Sequence, residues 1–170
     1  MPLTTQEFLP ETQEVGRGVV VHQAGWEQQL EANKQAWVAS LVQRRRFTSA
    51  FGAASNQQFV DTLNANTGGA LSAAERDSLV TRLNAGSITR AQALREVAEN
   101  AEFRRREFNR AFVLMQYFGY LRRNPDDSPD SDFSGFNFWL AKLNSSGGDF
   151  RGAEMVKAFL VSTEYRSRFN

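Results

Sequence analysis

The residues best suited to chemistry lie in an acidic loop, residues 124–132, and just after it. Asp130, Asp132 and Ser134 place side-chain oxygens at the first, third and fifth positions of a segment whose sixth residue is Gly135, as at the start of an EF-hand loop. Asp126 adds another carboxylate shortly before them. Because Ca²⁺ prefers several oxygen ligands, Asp126, Asp130, Asp132 and Ser134 are candidate calcium ligands.

The same residues also fit a simpler interpretation, which we favour. The twelfth position, where an EF-hand carries a bidentate Glu, holds Ala141. Asp and Ser residues before a helical segment commonly form turns and cap the helix. We therefore predict a solvated turn and no cofactor, with calcium binding as the alternative.

A second group of candidates consists of arginines and one aromatic residue that could contact a protein partner. They are Arg104, Arg105, Arg122, Arg123 and Phe136. Clustered arginines suit phosphate or acidic protein surfaces. Since acidic residues are interspersed and consecutive arginines point around a helix, most of this charge is interpreted as solvated helix surface, and no nucleic-acid partner is predicted. Phe136 lies off the apolar pattern of its helix.

Composition excludes several kinds of function. The chain has 170 residues, no Cys and a formal net charge of +1, so disulfides, thiol nucleophiles and a global steering field are excluded. No apolar run approaches the roughly 20 residues of a membrane span. The first residues lack the basic and apolar regions of a signal peptide. The sequence contains no nucleophile elbow, phosphate-binding glycine loop or HExxH motif, so we predict that the protein is not an enzyme.

The elements that must position these residues have helical patterns. Ser72 with Glu75, and Thr89 with Gln92, are capping boxes that predict helix starts. Ser55 can cap a further helix. Apolar residues recur three to four positions apart from Gly25 onward, which predicts an all-α, compact bundle of about seven helices. Phe103, Phe108, Phe112, Met115 and Leu121 form the predicted apolar stripe of the longest helix.

An internal repeat organises the helices into two diverged units, about 55–105 and 113–168. It pairs Phe59 with Tyr117, Leu63 with Leu121, Leu79 with Trp139, and Leu83 with Leu143. One such unit is expected to bury its apolar faces against the other, so residues 25–170 are predicted to be a single all-α domain. Residues 1–24, which contain Pro2, Pro10 and several glycines, are predicted to form an extended N-terminal arm.

The second repeat resembles a known family. The segment YLRRNPDDSPDSDFSGFNFWLAKLN and the later AEMVKAFLVSTEYRSRF are similar to the bacterial domain-of-unknown-function family 4214 over about the last 55 residues. The matching positions are Tyr117, Leu121, Arg123, Pro125, Asp126, Gly135, Phe138, Trp139, Phe159, Ser162, Glu164 and Tyr165. The chain departs from the family pattern by extra acidic residues before Gly135 and by lacking the usual Gly before the Arg. The pattern is also similar to the helical domain of phycobilisome rod linkers.

The resemblance implies a helical module of multidomain secreted or surface bacterial proteins. We therefore predict a non-catalytic interaction or structural module that binds a protein or an extracellular matrix glycan, within a longer exported protein. A weakly calcium-binding adhesion or matrix domain and a linker-like assembly adaptor are the alternatives, and a cytoplasmic location is the alternative to export.

Overall fold

The computed structural model describes residues 4–169, and within them it contains ten α-helices, one π-helical segment and no β-strand. The prediction of an all-α fold is confirmed, with ten helices in place of about seven. The helices are α1 (Thr5–Val15), α2 (Trp26–Leu41), α3 (Arg45–Phe51), α4 (Asn56–Asn66), α5 (Ala73–Asn84), α6 (Arg90–Ala98), α7 (Ala101–Gln116), α8 (Ser134–Ser145), α9 (Met155–Val161) and α10 (Thr163–Arg166). The π-helical segment, Tyr117–Leu121, directly follows α7.

The chain divides into two compact units. The central unit is Pro10–Arg105, and the terminal unit combines Met1–Leu9 with Arg106–Asn170. Each unit has its own cluster of buried apolar residues. The boundaries between the units fall within α1 and α7.

Three capped helices form the core of the central unit. The predicted capping boxes at Ser72 and Thr89 are both present, and Ser55 caps α4 in the same way with Gln58. These caps satisfy backbone N–H groups that the first turn of a helix leaves without partners. The buried core residues are Phe59, Val60, Leu63, Leu71, Leu79, Leu83, Ala93 and Val97.

An ion pair links α2 to α6 within the central unit. Arg95 donates to both carboxylate oxygens of Glu31, at 2.5 and 2.6 Å. The hydrogen bond from Arg95 lowers the pKa of Glu31 to about 2. Because only Val38 of α2 is fully buried, this bidentate contact helps to fix how α2 lies on α6.

The core of the terminal unit is aromatic and surrounds the π-helical segment. Tyr117 packs edge-on against Phe159, with ring centroids 5.2 Å apart, and Phe159 also contacts Trp139 at 5.7 Å. The buried residues are Val113, Tyr117, Phe118, Phe136, Leu143, Ala153, Met155 and Phe159. Positions that the repeat pairs, such as Leu83 with Leu143, lie in the core of their own unit.

The predicted extended arm is wrong over residues 5–15, which form α1; residues 1–3 lie outside the described residues. Thr4 and Glu7 make the reciprocal contacts of a capping box, a sequence signal that Pro10 and the nearby glycines obscured. Phe8 packs on Phe118, and Thr5 donates two hydrogen bonds to Asn124 Oδ1 at 2.8 and 2.9 Å. These tertiary contacts favour a helix despite a proline in its interior.

Replacing Phe59 with Ala should destabilise the central unit. The Phe59 side chain is fully buried, packs edge-on against Phe51 and Phe47, and lies under the Arg90 guanidinium. Loss of the ring should lower the free energy of unfolding by about 3–5 kcal/mol, measured by urea denaturation. Val20→Ala, at an exposed position of the same unit, is the control and should change it by less than about 0.5 kcal/mol. Equal losses for the two variants would contradict this assignment of the core.

Candidate functional site

Arg123 holds the acidic loop in place. Its Nε donates to Glu164 Oε1 at 2.6 Å and its Nη2 to Asp130 Oδ2 at 2.6 Å. Its Nη1 donates to the carbonyl oxygens of Asn124, Pro125 and Asp127 at 3.0–3.3 Å. Only 11% of the Arg123 side chain is exposed. The guanidinium therefore links a carboxylate 41 residues further along the chain to the backbone of the loop.

The ionic contacts of Arg123 outweigh the cost of its burial. Burial by itself lowers the pKa of Arg123, but the hydrogen bonds to Glu164 and Asp130 raise it above its ordinary value. The guanidinium also lies over the ring of Tyr117, with Cζ 5.3 Å from the ring centroid. We call Arg123, Asp130, Glu164 and Tyr117 the Arg123 cluster.

The predicted calcium ligands have separate local roles. Asp130 pairs with Arg123, and Asp132 Oδ1 accepts a hydrogen bond from the Ser134 N–H at 2.7 Å. The Ser134 side chain, followed by this backbone N–H, lowers the pKa of Asp132. Asp126 is exposed, and among residues 4–169 no three acidic or histidine side chains are grouped as metal ligands. The solvated turn stays a prediction, and calcium binding stays its untested alternative.

The predicted interaction residues are distributed over exposed and buried positions. Arg104 is exposed, as is Arg105, which makes two hydrogen bonds of 2.9 Å to Glu102. Arg122 is exposed and has a left-handed backbone, with φ 57°, directly after the π-helical segment. Phe136 is only 7% exposed and belongs to the core, as its edge-on contact with Phe133 illustrates. Phe136 and Arg123 therefore contribute to the interior of the terminal unit and offer little surface to a partner.

A cavity of about 240 Å³ lies beside the Arg123 cluster in the terminal unit. Tyr117 lines it and is 97% buried, since only 3% of its surface is exposed. Burial, followed by the nearby charge of Asp130, raises the pKa of Tyr117 to about 12. The phenol is therefore uncharged at neutral pH.

The predicted apolar stripe of α7 is only partly buried. Phe108 and Met115 are 65% and 48% exposed, whereas Phe112 and Leu121 pack against the core of the terminal unit. Phe112 lies between Phe108 and Met115 on the same face and also stacks on Phe150, with centroids 5.3 Å apart and planes inclined by 29°. We call Phe108, Phe112, Met115 and Phe150 the α7 apolar face. The buried residues of α7 are Val113 and Gln116, near its end.

Comparisons with known proteins identify no relative: no family model, no curated protein and no solved structure matches the chain. Among the described residues, none of the helices combines the length and the apolar character that crossing a membrane requires.

Replacing Arg123 with Met should destabilise the terminal unit. The change leaves Asp130 and Glu164 facing one another without a cation and removes the donor to three loop carbonyls. Breaking a fully buried ion pair costs 3–5 kcal/mol, and since both carboxylates are about one-third exposed we expect a loss of about 2–3 kcal/mol. Urea denaturation measures it, and Arg122→Met, at the exposed neighbouring position, should stay within about 0.5 kcal/mol of wild type. A comparable loss in both variants would contradict the role given to Arg123.

The raised pKa of Tyr117 predicts a loss of stability at high pH. Between pH 10 and 12 the unfolded chain releases the phenol proton, while the folded chain retains it. The free energy of unfolding should therefore fall as pH rises through this range, and Tyr117→Phe should remove that part of the fall. Denaturation series at pH 9 to 12 measure the difference between the two proteins. Parallel curves throughout would contradict the burial of this hydroxyl.

Proposed function

We propose that the protein is a non-catalytic helical interaction module and that its α7 apolar face binds a protein partner. The observation that carries the proposal is the exposure of Phe108 and Met115 on one face of α7. Exposed apolar patches on folded proteins commonly mark interaction sites. The resemblance of the second repeat to bacterial family 4214 supports the further proposal that the module belongs to a longer exported or surface protein.

The geometry of the face suits a helix as partner. Phe108, Phe112 and Met115 follow one another at spacings of four and three residues, so they form a ridge along α7. Phe150, stacked on Phe112, widens this ridge on one side. An amphipathic helix buries its apolar residues against such a surface, with anchors at the same three- and four-residue spacings.

A positive charge at the edge of the face favours an acidic partner. The Arg151 guanidinium lies 5.8 Å from the ring centroid of Phe150, and Arg151 is exposed. A planar guanidinium beside an aromatic ring can pair with a carboxylate of an approaching surface. The partner we propose is therefore an amphipathic helix with carboxylates flanking its apolar stripe.

The polar groups of the Arg123 cluster support the non-catalytic part of the proposal. The Arg123 guanidinium donates to Glu164, Asp130 and loop carbonyls, which is a structural use of its charge. Asp132 accepts a backbone hydrogen bond at the start of α8. These charged groups of the terminal unit thus hold the acidic loop and its neighbouring helices in place.

Binding of a model helix tests the proposal. The probe is a fluorescein-labelled amphipathic peptide with a Leu/Phe stripe flanked by Glu, and its fluorescence anisotropy is followed as protein is added. We expect at least tenfold tighter binding than for the same peptide with Lys in place of Glu, since acidic flanks meet Arg151. The double variant Phe108→Gln/Met115→Gln should weaken binding of the Glu peptide at least tenfold, because it removes the exposed anchors.

Val20→Gln/Val21→Gln is the matched control, because these residues are exposed apolar positions, at 58% and 57%, in the central unit. It should bind the Glu peptide as wild type does. Absence of binding, or an equal loss in the two double variants, would refute the α7 apolar face as the docking surface. Circular dichroism checks that both variants stay helical.

A further inference from the structure

The cavity beside the Arg123 cluster is a site distinct in place and chemistry from the α7 apolar face. Tyr117, Trp139 and Phe159 form its aromatic wall, while Asp130 and Glu164 contribute carboxylates. The wall is rigidly packed, because Phe159 contacts the rings of both Tyr117 and Trp139. A volume of about 240 Å³ is below that of pockets for drug-sized ligands and suits a group the size of one side chain.

Among the polar groups that line the cavity, the two carboxylates can accept further hydrogen bonds, whereas the Arg123 guanidinium already has acceptors for its N–H groups. The N–H groups of Arg123 are directed to Glu164, Asp130 and three loop carbonyls. Each of the two carboxylates, by contrast, has further lone pairs, and their side chains are 36% and 30% exposed. Arg123 carries one positive charge, and Asp130 and Glu164 carry one negative charge each. The charged residues that line the cavity therefore have one surplus negative charge.

The hydroxyl group of Tyr117 is a further unused polar group. Tyr117 is 97% buried, and its oxygen is not among the fully enclosed polar atoms that lack a partner, so the hydroxyl opens into the cavity, where no described residue forms a hydrogen bond with it. Gly135 lines the same cavity, and a Cβ there would lie 2.8 Å from Tyr117 Oη and 3.7 Å from Asp130 Oδ2. A side chain at this position would fill the space between the hydroxyl and the carboxylate, so the glycine keeps that space open.

We infer that this cavity binds a primary ammonium group, carried by a small alkylamine or by a lysine side chain. The ammonium donates to Asp130, Glu164 and the Tyr117 hydroxyl, and it neutralises the surplus charge. Its methylene chain packs on the rings of Trp139 and Phe159, and the aromatic faces add a cation–π attraction. An anionic ligand is disfavoured by the two carboxylates, and a wholly apolar ligand would leave these polar groups without partners.

Titration with n-butylammonium tests the inference, with the indole N–H signals of the three tryptophans followed by NMR. Trp139 lines the cavity, whereas Trp26 and Trp37 belong to the central unit and serve as internal controls. We expect a saturable shift of the Trp139 signal with a dissociation constant in the millimolar range. n-Butanol and butyrate, which match the chain length without the positive charge, should bind at least tenfold more weakly.

Two further arms of the experiment ask whether the ammonium group comes from a lysine side chain or a free amine, and whether the Asp130 carboxylate is needed for binding. Nα-acetyl-lysine N-methylamide binding more tightly than n-butylammonium would assign the site to lysine side chains, and the reverse order would assign it to free amines. Asp130→Asn keeps an acceptor for Arg123 but removes the charge, so it should weaken n-butylammonium binding at least fivefold. Asp126→Asn, an exposed residue of the same loop, should leave binding unchanged.

The inference fails if n-butanol shifts the Trp139 signal as strongly as n-butylammonium at equal concentration, a comparison that needs only the wild-type protein. It also fails if Asp130→Asn and Asp126→Asn have the same effect while both stay folded. Glu164→Gln removes the charge of the second carboxylate in the cavity, so it tests the same inference with an independent variant. Because no arm of this experiment uses the α7 apolar face, its outcome is independent of the peptide-binding test.

Discussion

The Arg123 guanidinium is the contact on which the terminal unit depends. It joins two pieces of chain: the acidic loop, through its backbone and Asp130, and Glu164 in α10. A planar group with five donors can satisfy so many acceptors at once, whereas a lysine ammonium could not. Placing the charge over the ring of Tyr117 also ties the ionic contacts to the aromatic core.

The central unit uses an arginine in a similar way. Arg90 lies over the ring of Phe59, 5.1 Å from its centroid, and donates to the carbonyl oxygens of Phe51 and Ala54. Phe59 and Tyr117 are the positions that the predicted repeat pairs with one another. In both units a cation covers a core ring and satisfies carbonyls between helices, although the two arginines come from different places in the sequence. The internal repeat itself stays a prediction, because the two arginines do not occupy positions that it pairs.

Local signals in the sequence predicted the helices better than they predicted the site. The capping boxes at Ser72 and Thr89 were confirmed because a cap depends on residues three positions apart. The capping box of Thr4 and Glu7 is equally local, but the prolines and glycines of residues 1–24 favour an extended arm in a reading of the sequence alone. Contacts that join distant residues have no such signature. Nothing near Asp130 in sequence indicates that Glu164 shares its arginine, and the acidic loop therefore resembled a cation site.

The exposed surface of α7 was missed for a different reason. The series Phe108, Phe112 and Met115 has the three- and four-residue spacing of a buried stripe, but spacing shows only that residues share a face. The residues that α7 buries, Val113 and Gln116, lie near its end, and the buried set continues into Tyr117 and Phe118 of the π-helical segment. Because one of the two buried residues is a glutamine, no apolar pattern within α7 marks the buried face.

The π-helical segment also restricts how the chain length can vary. Each residue of an α-helix turns the chain by about 100°, so the wider turn at Tyr117–Leu121 changes the direction of all that follows. Deleting one residue there would rotate Arg123 away from Glu164 and the loop carbonyls together. Insertions and deletions should therefore be tolerated better in the polar loops than between α7 and Arg123.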